Sequence, residues 1–133
     1  MATVAAIRTA LKTAVETVTG LRALDYRPGS ISPPVAIVAL RETRYDVTLD
    51  GADDTTMAVT VYVEFGTDRT SEADLNGYMD PAGATSVAAA IHTDPTLGGV
   101  VDFVRVGSVT DLGLVEYGGA PYLAAVFLVE IGD

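Results

Sequence analysis

The segment Tyr122–Ile131 is apolar on both sides. Alternate residues of an extended chain face opposite ways, so Leu123, Ala125, Phe127, Val129 and Ile131 share one face, and Tyr122, Ala124, Val126 and Leu128 the other. Both faces want cover. A chain of 133 residues can cover one with its own helices, but the second is hard to cover from within, so a partner subunit is expected. The same length supports a real core in a single domain, residues 1–133, without disulfides or a structural metal.

The chemical equipment is sparse. There is no Cys and no Trp, and His and Lys occur once each, which excludes disulfide frameworks, thiolate zinc sites and cysteine catalysis together. Met1-Ala2-Thr3-Val4 does not read as a secretory signal, and no apolar run approaches the roughly 20 residues that span a bilayer. The expectation is a soluble intracellular product with no membrane partner. The net charge of −10 is unevenly placed: residues 1–41 carry five basic against two acidic side chains, and residues 42–133 three against sixteen. Acidic excess argues against gripping nucleic acid, since phosphate binding rests on Lys and Arg. It remains compatible with a surface that lets DNA slide past, and equally with plain solubility.

Thr3 suits the N-cap of a helix through about Val18, with Val4, Ile7, Leu11, Val15 and Val18 on one stripe and Gly20-Leu21 as its stop. Leu24–Pro34 reads as a connector, because Pro28-Gly29 favours a turn and Pro33-Pro34 forbids helix. Strands are expected over Val35–Leu40, Tyr45–Leu49 and Met57–Phe65, the last two forming a hairpin with an acidic tip at Asp50–Asp54. Ser71-Glu72-Ala73-Asp74 opens a helix that ends at Met79 before Pro81, and Ser86 caps a short one through His92. Strands then follow at Val100–Val106, Gly113–Tyr117 and Tyr122–Ile131. Such an order predicts an α+β fold: a mainly antiparallel sheet with an N-terminal helix and a short central helix pair packed on one face. The other face, or an edge, is left for a neighbour.

Three constellations could carry chemistry, and each has a plainer reading. His92 before Asp94 could be a base with an orienting carboxylate, but no hydroxyl or thiol nucleophile is indicated beside it. The acids of Asp50–Asp54 could bind a hard cation, yet they lack the ligand alternation of a calcium loop and read as a solvated tip. Gly98-Gly99 and Gly118-Gly119 do not follow the strand-to-helix pattern of a phosphate cradle and read as turns. No cofactor is expected and no enzymatic activity. A small enzyme or ligand-binding domain, using the cleft between helices and sheet, stays as a remote alternative.

Ile31-Ser32-Pro33-Pro34-Val35-Ala36-Ile37-Val38, then Tyr78-Met79-Asp80-Pro81-Ala82-Gly83 with Ser86-Val87-Ala88-Ala89-Ala90-Ile91, then Asp94–Val106, and the Tyr-rich final hairpin together resemble small neck proteins of long-tailed bacteriophages, actinobacteriophage type. The nearest resemblance within these is to tail terminators. It implies a tail-terminator-like α+β subunit forming a homo-hexameric ring on the end of the tail tube, at the neck of a virion assembled in the host cytoplasm. The implied partners are other copies of itself, the major tail tube protein and a head-side connector or stopper, with DNA passing through the lumen without specific binding. Other neck roles (head-tail connector, adaptor, tail-completion protein) are the alternative.

A heterologous ring needs two different complementary patches per subunit, and the opposed charge of the N-terminal third and the remainder could supply them. Arg8 and Lys12 on the first helix, Asp50, Asp53 and Asp54 at the hairpin tip, and Tyr122 on the second apolar face are therefore the candidate assembly contacts; Arg8 and Lys12 could equally be a solvated helix face. Because the hairpin acids are the only candidate cation ligands, EDTA should leave the melting temperature unchanged. A calcium-dependent rise of several degrees would instead establish a cation site.

Overall fold

The computed structural model describes residues 3–18, 20–32, 34–44, 54–64 and 70–132. Helix α1 (Val4–Val15) starts where Thr3 accepts the Ala6 N–H at 3.1 Å, and it buries Ile7, Leu11 and Val15 along one stripe. It ends earlier than the periodicity suggests. Glu16 is the C-cap, and Val18 stays buried in the following turn rather than in the helix. Gly20 then adopts φ +78°, which favours glycine, and Leu21 is buried behind it. Helices α2 (Thr70–Met79) and α3 (Val87–His92) form the central pair. Ser86 caps α3: its hydroxyl accepts from the Ala89 N–H at 3.0 Å and donates to the Asp80 carbonyl at 2.5 Å.

Five strands, β1 (Arg22–Leu24), β2 (Val35–Arg44), β3 (Asp54–Glu64), β4 (Phe103–Tyr117) and β5 (Ala120–Gly132), form one sheet in the order β1-β2-β3-β5-β4. Every pairing is antiparallel except β1 with β2, so the α+β architecture with a mainly antiparallel sheet is as expected. Three boundaries differ. The short strand β1 lies where the connector was expected to begin; it is held by its parallel register with Val35–Ile37 and by Ala23 in the core. Strand β2 continues past Leu40 to Arg44, while the expected strand at 45–49 and the tip acids Asp50 and Asp53 lie outside the described residues.

Residues 103–117 form one strand rather than two. Val100 to Asp102 belong to the preceding turn, and the irregular stretch between Val106 and Gly113 is absorbed by two register shifts. Asp111 at φ +53° and Gly113 at φ +148° mark the second of these bulges. At the other end, Gly118 and Gly119, at φ +59° and +84°, make a two-residue turn that suits the twist of a hairpin.

The core lies on one side of the sheet. Met57, Val59, Val61 and Val63 of β3 and Ala125, Phe127, Val129 and Ile131 of β5 point there, roofed by α1, by Leu75 and Tyr78 of α2, and by Val87 and Ile91 of α3. Phe127 is fully buried, opposite Val59 on one side and Val109 on the other. Phe127→Ala should cost about 3–5 kcal/mol in denaturant unfolding. Phe127→Asp, which buries a carboxylate in the same place, should yield no cooperatively folding protein; a soluble mutant with a sharp transition would show that this face is not core.

Candidate assembly surface

The second face of the sheet is divided in two. The β1–β2 connector, described over residues 25–32, reaches across it to the far edge strand, where the Tyr117 hydroxyl donates to the Pro28 carbonyl. Gly118 lies so close beneath it that a Cβ there would stand 2.9 Å from the Gly29 carbonyl oxygen. Under this strap Tyr62 meets Tyr117 and Tyr122 edge to face, at centroid distances of 5.4 and 6.4 Å. Val35, Ile37 and Ala124 are buried at this end. Toward the opposite end, Ala58, Thr60, Thr110, Val126 and Leu128 share the face and remain partly exposed.

The candidate contacts do not converge. Arg8 is half-buried, and its guanidinium donates to the Val38 carbonyl at 3.2 Å, with Nε buried and without a partner. Lys12 pairs with Glu16 one turn on, at 3.3 Å. Tyr122 stands on the other side of the sheet in the aromatic cluster. Asp54 begins β3 opposite Arg44 and Gly132, at the end of the sheet away from Tyr122. Asp50 and Asp53 lie outside the described residues.

His92 and Asp94 are each engaged with backbone. The His92 Nε2 accepts the Val106 N–H at 3.0 Å, which in the neutral ring leaves the proton on Nδ1. The Asp94 carboxylate accepts from the Gly98 N–H at 2.7 Å and from the Thr96 hydroxyl at 3.3 Å, so it shapes the turn. A groove of about 560 Å³ lies between α1 and the end of α3, lined by Ala10, Ala14, Ala90 and Leu97 together with Thr13, Thr17 and Thr93. Those three hydroxyls donate to carbonyls of their own helices and offer a ligand no convergent donors. Among the described residues no group of three His, Asp or Glu comes together as a metal cluster.

No family model matches this chain, and comparison with curated proteins gives no match. The surface must therefore be read from its own geometry. What the residue pattern did not reveal is where large apolar side chains are left in solvent: Leu40 on β2, and Phe103, Leu112 and Leu114 on β4. A smaller hollow of about 230 Å³ separates Leu112 and Gly113 from Leu75, Asn76 and Met79 of α2. The missed signal is the run Asp111-Leu112-Gly113-Leu114, which looks like a turn and is a bulge in an edge strand.

Burial raises the pKa of Tyr62, and the Tyr117 phenol beside it adds to the rise while Arg27 opposes it; burial, with the Asp74 charge, likewise raises Tyr78. The folded protein thus holds both protons to higher pH than the unfolded chain, which releases them near the ordinary value of 10.0. Their contribution is fully present below that pH and is lost as pH rises through the folded values. Phenolate absorbance should show some tyrosines ionising late, with the melting temperature falling above pH 10. Tyr62→Phe should flatten that fall, and simultaneous ionisation of all six tyrosines would contradict the reading.

Proposed function

We propose that this chain is a structural virion subunit, a tail terminator that closes into a ring on the end of a phage tail tube, halts its growth and presents a surface to the head-side connector. The observation that carries the reading is the half-roofed second face. The strap crosses the tyrosine end, where Val35, Ile37 and Ala124 are buried, while Val126, Leu128, Ala58, Thr60 and Thr110 form a partly exposed patch beside it. Uncharged surface of this kind, within the sheet rather than at a loop, suits contact with another subunit.

The resemblance supports the same reading, and its stretches fall at the joints of the fold. Residues 34–38 enter β2, 78–91 span the end of α2, the turn after it and most of α3, and 94–106 carry the chain from α3 into β4. The acidic balance of residues 42–133 fits a conduit along which DNA slides. Neither cleft chemistry nor a cofactor enters this function.

Electron microscopy of the purified protein with and without tail tubes tests it. Rings alone, or single rings on tube ends, are expected, and a head-tail adaptor would instead bind heads and leave tube ends bare. Leu128→Glu, which places a charge on the exposed patch, should remain folded and lose tube capping. A protein that stays monomeric and never binds tube ends refutes the terminator assignment.

A further inference from the structure

The two edges of the sheet are unlike, and each is open over only part of its length. On one side β1 covers β2 at Val35–Ile37, and the Arg8 guanidinium takes the outward carbonyl of Val38. N–H and C=O of one residue point the same way in a strand and alternate along it, so the Leu40 N–H faces the same side. Among the described residues nothing pairs with β2 there. On the other side His92 takes the outward N–H of Val106, and beyond it β4 has β5 on one flank only. Four of the six exposed large apolar side chains among the described residues lie on these two edges: Leu40 on one, Phe103, Leu112 and Leu114 on the other.

The edges also differ in sign. Of the described side chains, β1 and β2 carry Arg22 and Arg41, whereas β4 carries Asp111 and Glu116, its one Arg, Arg105, being paired with Glu130. Strand direction allows the edges to meet. Successive antiparallel pairings leave β4 running opposite to β2, so a second copy continuing the sheet would place its β2 antiparallel to β4. The open part of β2 lies at the Phe103 end of the sheet, and the open part of β4 extends to the Tyr117 end. Neighbours must then be staggered along the strands, as closing a sheet on itself requires.

We infer that subunits join edge to edge, the segment Ser108–Tyr117 of β4 in one copy adding antiparallel to residues 40–44 of β2 in the next. The inference rests on the ring reading above and names the surfaces that close the ring. Because the edges differ, the contact is heterologous and propagates in one rotational sense. Main-chain hydrogen bonds supply the pairing, and Leu40 against Leu112 or Leu114, with Arg41 against Asp111 or Glu116, supplies the selectivity.

The absence of cysteine makes the test direct. One sample carries Leu40→Cys; others carry a single Cys at Ser108, Thr110, Leu112 or Leu114. Oxidation of the mixtures should give a disulfide-linked pair for at least one β4 position, and none from any sample alone. Linkage within a β4 sample alone would mean like edges meet and would overturn the head-to-tail arrangement. Leu40→Pro removes one outward N–H without touching the β3 ladder, so its melting temperature should hold while sizing shows loss of multimers. If that variant unfolds, Arg41→Glu serves instead, and should raise the concentration needed for assembly about tenfold. Multimers that form normally with these variants, and without cross-links, overturn edge pairing and leave the ring reading standing. A wild-type protein that is monomeric at every attainable concentration and on tube ends overturns both.

Discussion

Strand β5 is paired on both flanks over nearly its whole length, with β3 from Tyr122 to Gly132 and with β4 from Ala120 to Gly132. The rest of the fold is organised around that position. A central strand with two apolar faces demands two covering layers, and burial of Phe127, Val129 and Ile131 contributes about 1.5–3 kcal/mol for each side chain. The helices that supply the first layer are short, α3 having 6 residues and α2 having 10. Helices of that length are marginal in isolation. They persist because Ile91, Val87, Leu75 and Tyr78 complete the core over β3 and β5, and Ser86 fixes where α3 begins.

The second layer is provided by chain without regular structure. A parallel pair such as β1 and β2 needs a crossover connection, and here it passes over the face opposite α1, rigidified by Pro28 and Pro34 and tied down at Tyr117. The tie joins the first strand-to-strand connection in the chain to its last hairpin. Its reach decides how the second face is shared: the tyrosine cluster is partly covered above the buried Val35, Ile37 and Ala124, and the patch around Val126 and Leu128 lies beyond it. A longer strap could have covered both and left the subunit self-sufficient.

Much of this was legible in the residues. Thr3 and Ser86 as caps, the Gly118-Gly119 turn and the stripe Ile7, Leu11 and Val15 of α1 are local signals, and each is realised, although α1 closes at Glu16, well before the expected stop at Gly20. The misses are non-local. Strand β1 has 3 residues and no periodicity of its own; only Val35–Ile37 makes it a strand. Arg41, Glu42, Thr43 and Arg44 lack the alternation that marks a strand; the last three are carried into one by pairing with β3, and Arg41 is taken up at the register shift. Gly107 and Asp111–Gly113 look like breaks, but a sheet can absorb an extra residue as a bulge. The candidate contacts fared differently for a related reason. Charge along a sequence does not tell which side chains the fold engages, and Arg8 and Lys12 both have intramolecular partners, while exposure of Leu40 or Leu114 depends on which strands end up at the edges.

Those edges bear on why such a subunit would assemble without aggregating. Long edge strands with exposed leucines invite indiscriminate pairing unless something breaks their regularity. Here both are interrupted: β2 shifts register between Leu40 and Glu42, and β4 does so twice, between Val106 and Ser108 and between Thr110 and Gly113. A bulge changes which N–H and C=O groups face outward and bends the strand, so a flat, regular partner matches only a few residues before losing register. Arg8 and His92 shorten the available template further by occupying Val38 and Val106. What remains on each edge is a short, irregular, oppositely charged segment. Such a segment pairs poorly with a copy of itself and better with a complementary one, which disfavours pairing between like edges; whether head-to-tail contacts then close is set by the rotation between neighbours.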